Sequence, residues 1–121
     1  MDVKSYRDLI VWQASMELAT VVYRLTESFP KSEMYGITSQ LRRTVVSVAS
    51  NIAEGHARTS TKEYRRFIAI ALGSLAETET QLLLAERLDM LGGTQLTAVL
   101  ERADAIGKML RRLDQALGRR V

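Results

Sequence analysis

The sequence predicts an all-α protein, an antiparallel up-down-up-down four-helix bundle. Three observations carry that expectation. Apolar residues recur every three or four positions along most of the chain. Helix breakers are sparse, with one proline and seven glycines in 121 residues. Most of those breakers fall where the periodicity lapses, as helix boundaries do. Three short connections result, at Phe29-Pro30-Lys31-Ser32, Gly55-His56-Ala57-Arg58-Thr59-Ser60 and Leu91-Gly92-Gly93-Thr94. Short connections favour antiparallel neighbours.

The first helix is predicted to start with Ser5 as N-cap and Asp8 at its third position, and to run to about Ser28. It carries two apolar seams, one of Leu9, Trp12, Met16, Ala19 and Tyr23, the other of Val11, Leu18, Val22 and Leu25. That arc is wider than contact with one neighbour requires. The second helix spans Glu33 or Thr38 to Ala57, with Ile37, Leu41, Val45, Val48 and Ile52 on one face. Its run of valines invites a strand, but the spacing is three to four and not two. Ser60 and Glu63 form a predicted capping box opening the third helix, which continues to near Met90 with Gly92 as its stop. The fourth begins after Thr94 and has the cleanest seam: Leu96, Val99, Ala103, Ile106, Leu110, Leu113 and Leu117.

A chain of this length fits one domain, residues 1–121, able to bury a core without disulfides or a structural metal. With no cysteine and a single histidine, His56, the composition excludes thiol catalysis and common zinc spacings. Met1-Asp2-Val3-Lys4 does not open a leader peptide, and no uninterrupted apolar stretch is long enough for a membrane span. The expectation is a soluble, cytoplasmic protein without membrane contact. The net charge of +3 permits an acidic partner without demanding one.

Side-chain constellations point to binding rather than catalysis. His56 has no second histidine or cysteine to share a metal, and reads as a solvated loop residue. Glu77 and Glu79 lack the Glu-x-x-His pairs of a di-iron bundle, which leaves them structural roles beside arginine or backbone groups. No phosphate loop, nucleophile elbow or triad is present, because Gly92-Gly93 lacks the following lysine and hydroxyl. No catalytic residue, cofactor or metal is therefore expected.

On the second helix, Arg43, Ser47, Ser50 and Glu54 recur at helical spacing as a polar stripe near Gln40, Arg42 and Asn51. The stripe is either a solvated face with contacts along the helix, or a hydrogen-bonded network that sets register or a subunit contact. Basic residues cluster at Arg58, Lys62, Arg65 and Arg66, and again at Arg102, Lys108, Arg111, Arg112, Arg119 and Arg120. An acidic segment, Glu77, Glu79, Glu86 and Asp89, opposes them. Such segregation suits phosphate binding, though cations near a helix C-terminus also complement its dipole.

Several ordered motifs then carry a resemblance. Tyr6-Arg7-Asp8-Leu9-Ile10-Val11-Trp12, Glu33-Met34-Tyr35-Gly36-Ile37-Thr38-Ser39-Gln40-Leu41-Arg42-Arg43, Ser50-Asn51-Ile52-Ala53-Glu54-Gly55 and the stretch from Glu63 to Glu77 occur in sequence. Together they resemble the four-helix bundle family of 23S rRNA intervening-sequence proteins, which is similar to the accessory protein of diversity-generating retroelements. The family often carries proline where this chain has Ala49. The resemblance implies a bacterial protein assembled as a homopentamer, with no family active site to carry over. It marks Trp12, Gln40, Arg43, Asn51 and Glu54 as structural or interface positions. The resulting expectation is an oligomer that binds RNA or DNA through Arg58, Lys62, Arg65, Arg66, Arg111 and Arg112. The alternative is a scaffold ring that contacts a partner protein and has no nucleic-acid role.

Overall fold

Periodic apolar spacing produces four helices: α1 (Ile10–Thr26), α2 (Ile37–His56), α3 (Thr61–Arg87) and α4 (Gly93–Gly118). The structure, a computed structural model, describes residues 4–120, and among these there is no strand. Met1, Asp2 and Val3, read above for a leader, lie outside the described residues. α2 packs on α1 and α3, and α4 packs on α3 and α1. One core therefore forms between all four helices.

Its centre is filled by Leu18, Val22, Leu41, Val45, Val48, Ile52, Ile68, Leu82, Ile106, Leu110 and Leu117. Burying each such side chain contributes about 1.5–3 kcal/mol before the cost of ordering the chain. The valine run of α2 is helical, with Val45 and Val48 inside and Val46 outside, and the helix continues through Ala49. The predicted seam of α4 is the core face, with Val99, Ala103, Ile106, Leu110 and Leu117 buried and Leu96 and Leu113 partly so.

The boundaries correct the sequence reading in three places. At the N-terminus, Asp8 Oδ2 accepts from the Ser5 amide (3.1 Å) and Ser5 Oγ accepts from the Arg7 amide (3.1 Å). This capping box closes only the 3₁₀ turn Tyr6–Asp8. Leu9 is extended (ψ 124), so α1 begins at Ile10, and it ends at Thr26 rather than Ser28. A capping box satisfies the amides of one turn, and nothing in it obliges the next residue to stay helical.

Lys31–Glu33 forms a separate 3₁₀ turn, and α2 starts at Ile37. At α3, Ser60 Oγ accepts from the Glu63 amide (3.0 Å), but the Glu63 carboxylate turns to Arg66 (3.4 Å), leaving the box half made. α3 stops at Arg87 and not Met90. Its stop is Asp89, in the left-handed region (φ 60). The Asp89 amide donates to the Glu86 carbonyl (3.0 Å) and the Met90 amide to the Ala85 carbonyl (2.9 Å). That pair of bonds is a Schellman ending. Gly92, the predicted stop, is extended and precedes α4 instead.

α3 is long and apolar enough in composition to cross a membrane, yet its buried side is part of the shared core and its sequence includes Glu77 and Glu79.

Candidate nucleic-acid interface

The end of α2, the start of α3 and the end of α4 meet at one end of the bundle. His56, Arg58, Tyr64 and Arg120 line a common polar depression there with Thr59, Ser60 and Thr61, about 230 Å³ in volume. Burial raises the Tyr64 hydroxyl pKa, and the Arg120 charge lowers it by less. His56 lies edge-on to Tyr64, 5.9 Å between ring centres. His56 is therefore not the solvated loop residue expected from the sequence: it is the last residue of α2, half-buried, and packs against an aromatic ring.

The sequence-predicted cations divide by what they touch. Arg58 pairs with Glu54 (2.8 Å) and lies 4.9 Å above the Phe67 ring, while Arg66 lies 5.5 Å from the same ring and pairs with Glu63. Phe67 therefore holds two guanidinium groups at one place, both more than two-fifths exposed in their side chains. Lys62 and Arg112 are exposed and form no ion pair among the described residues. Arg65 turns across to α4 and donates to Asp114 from Nε (2.8 Å) and Nη2 (3.2 Å). Arg111 lies further along α4, where its charge offsets part of the raised Glu79 pKa. Arg120, His56, Tyr64 and Phe67 were not among the residues predicted for this interface. Aromatic positions inside a charged stretch were the available signal.

The polar stripe of α2 splits in two. Ser47 faces α3 and shares a hydrogen bond with Ser74 (3.0 Å), and Asn51 Nδ2 donates to Ser47 Oγ (2.9 Å) and its carbonyl (2.8 Å). One turn earlier, Thr78 donates to Thr44 (3.0 Å), which donates to Gln81 (3.1 Å), and Gln81 reaches Gln40 (3.5 Å). This hydroxyl ladder fixes the register of α2 on α3, and Thr44, Ser74, Thr78 and Gln81 are the members that the stripe alone did not reveal. Arg43 and Ser50 face outward with Glu54, and Arg43 forms no ion pair among the described residues.

Of the two apolar seams of α1, Val11, Leu18 and Val22 enter the core, whereas Leu9, Trp12 and Ala19 of the other pack against its edge. Trp12 packs edge-on against Tyr6 (5.2 Å, 68°). With Met16, Ala19 and Tyr23, it forms an open groove against Val46, Ala49 and Ala53 of α2, about 600 Å³ in volume. Trp12 is only partly buried and Met16 is 44 % exposed. Glu79 is partly buried beside α4, its pKa raised by desolvation first and by Asp104 second. Glu77 is exposed and forms no ion pair among the described residues, so of the arginine or backbone partner expected for it the arginine is not found.

Residues 7–112 match the model of the 23S rRNA-intervening sequence protein family. The chain belongs to that family. A solved structure described as a protein of unknown function from the S23 ribosomal protein family of Bacteroides thetaiotaomicron is similar in fold, with TM-score 0.78 and 23 % identity. The alignment covers 87 % of this chain and 98 % of that one. No curated protein matches. The match to the 23S rRNA-intervening sequence family ends at Arg112, so Arg119 and Arg120 lie beyond it.

Proposed function

We propose that this protein is a non-enzymatic, self-assembling antiparallel bundle that binds RNA or DNA through its cationic end. The observation that carries the reading is the convergence of Arg58, Lys62, Arg66 and Arg120 where three helix ends meet. Phosphate binding needs several cations within reach of one backbone, and an oligomer multiplies them. Antiparallel packing is supported by partners whose numbers fall on one helix as they rise on the other, Gln40 with Gln81, Thr44 with Thr78 and Ser47 with Ser74. Assembly into five copies follows the family resemblance, and the uncovered apolar groove supports self-association. The same reading places the protein in the cytoplasm, with its nucleic acid.

The test is a fluorescence-anisotropy titration of labelled RNA and DNA against salt, with the mass followed by light scattering. Phosphate contacts predict a log affinity that falls linearly with log salt. Lys62→Glu with Arg66→Glu should weaken binding and flatten that slope while leaving the helical content intact. Arg65 and Arg111 should matter less, because each faces a carboxylate on the neighbouring helix. Binding no tighter than that of an uncharged control protein at low salt rules the reading out. A second reading, a scaffold that contacts a partner protein, is favoured by Tyr35, which is 97 % exposed beside Met34 at the α1–α2 connection. Partner capture that survives nuclease and is lost in Tyr35→Ala would support it.

A further inference from the structure

α2 opens on bare backbone. Its N-cap is Gly36, which has no side chain to offer, and the amides of Ile37, Thr38 and Ser39 have no acceptor among the described residues. A helix start leaves such donors unsatisfied and carries a partial positive charge, so it favours an anion. Many helix starts meet only water, but this one borders a depression of about 340 Å³ whose lining includes Tyr23, Tyr35, Thr38, Ser39, Arg42 and Arg43.

Thr38 is only 1 % exposed, and its hydroxyl has no hydrogen-bond partner among the described residues. A buried hydroxyl normally finds one, because desolvating it unpaired is costly. Ser15, Thr26 and Thr78, also buried, turn back to the carbonyls of Val11, Val22 and Ser74 four residues earlier. Thr38 stands in the first turn, where the residue four back, Met34, precedes the helix, and it makes no such bond.

Arg42 is held in place without being neutralised. Its Nε donates to Thr26 Oγ1 (2.9 Å) and its Nη2 to the Tyr23 carbonyl (3.3 Å), and its guanidinium lies 4.8 Å over the Tyr23 ring. Arg43 is exposed, and neither arginine forms an ion pair among the described residues. Among those residues no acidic side chain lines the depression. Glu27 lines the neighbouring α1–α2 groove instead. The Glu33 carboxylate stands beside Gly36, 2.8 Å from a Cβ built there, but accepts no hydrogen bond from the first turn of α2.

We infer that the first turn of α2 binds a phosphate monoester, its oxygens taken by the free amides and the Thr38 hydroxyl and its charge by Arg42 and Arg43. Three strong acceptor oxygens and nearly two negative charges at pH 7 match this set of donors better than a carboxylate does. Tyr35, almost fully exposed beside the depression, offers a ring to the group that the phosphate carries. α2 is 20 residues long, so the site lies about 30 Å from the cationic end at His56 and does not rest on the nucleic-acid reading.

The same phosphate occurs on free metabolites and at a 5′-phosphorylated strand end. Calorimetric titration at fixed salt separates them, with uridine 5′-monophosphate, uridine, and a short uridine oligonucleotide with and without its 5′ phosphate. The monophosphate should bind and uridine should not. Arg43→Gln should weaken that binding about tenfold, as loss of a charge-assisted hydrogen bond does. Thr38→Val should weaken it too while leaving the thermal midpoint at or above the parent's, because the hydroxyl it removes has no partner in the chain. Lys62→Glu with Arg66→Glu, at the other end, should leave it unchanged. An oligonucleotide that gains affinity from its 5′ phosphate, and loses the gain in Arg43→Gln, assigns the site to a strand end; no gain assigns it to a free metabolite. Phosphorylated probes that bind no better than their unphosphorylated forms overturn the site, as does binding unchanged in both Arg43→Gln and Thr38→Val. Phosphate binding lost only in the Lys62 and Arg66 variant also overturns it and leaves the cationic end standing.

Discussion

Arg65 on α3 and Asp114 on α4, 49 residues apart, are joined by two parallel hydrogen bonds from one guanidinium edge to both carboxylate oxygens. The bidentate geometry takes a predicted phosphate ligand out of the free cations and makes it a tie between helices. The Arg65 hydrogen bond, more than its charge, lowers the Asp114 pKa below the ordinary carboxylate value. A lowered carboxylate pKa contributes stability that is present above the unfolded-state value near pH ~4 and is lost as pH falls through the folded-state value. Asp114→Asn should therefore cost stability at pH 7, by no more than about 1 kcal/mol because both side chains are more than one-third exposed to screening water. Urea unfolding at pH 7 and in acid checks this, with the gap between variant and parent closing as pH falls.

The four helices were legible because apolar period is a local property repeated many times. Ser5–Asp8 and Asp89 show where that signal ends. The first is a correct capping motif attached to one turn, and the second a left-handed residue whose type does not announce it. The cations were equally visible as letters, but their partners were not. Arg65 finds Asp114 on another helix, and Arg58 and Arg66 arrive at one ring from opposite sides of a turn. The two seams of α1 have the same spacing, and spacing alone cannot say that Leu18 and Val22 meet the core while Met16 and Tyr23 line an open groove. Period reports which residues share a face, not what lies against it.

Gly55 is fixed by close packing of α2 on α3. A Cβ there would lie 2.9 Å from Phe67 Cβ and 3.3 Å from the Tyr64 carbonyl oxygen. Alanine gains about 1 kcal/mol in helix propensity, while forcing a methyl into a filled contact costs about 1–3 kcal/mol. Gly55→Ala should thus destabilise by up to about 2 kcal/mol, read as a lower urea midpoint with an unchanged slope.

Asp89 holds the turn between α3 and α4 in a conformation that costs a residue with a Cβ about 1–2 kcal/mol, somewhat less for aspartate. Glycine removes that penalty and leaves the two Schellman bonds, which are made by backbone amides, intact. Asp89→Gly should raise stability by up to about 1 kcal/mol, since the released strain exceeds the extra freedom of the unfolded chain. A thermal melt at fixed protein concentration measures it, and a lowered midpoint would show that the Asp89 side chain contributes more than its backbone strain costs.

Glu79 gives the opposite pH signature to Asp114. Desolvation between α3 and α4 raises its pKa, Asp104 adds repulsion, and Arg111 offsets only part of both. A raised carboxylate pKa means that the folded protein holds the proton more tightly than the unfolded chain does. Its effect is therefore a loss of stability as pH rises from the unfolded value, about 4.3, through the folded one. Glu79→Gln keeps the shape without the charge and should stabilise the protein at pH 7, with the gain vanishing below about pH 4. Paired urea titrations at the two pH values decide it: a variant less stable than the parent at pH 7 would mean that the Arg111 attraction outweighs desolvation at this site.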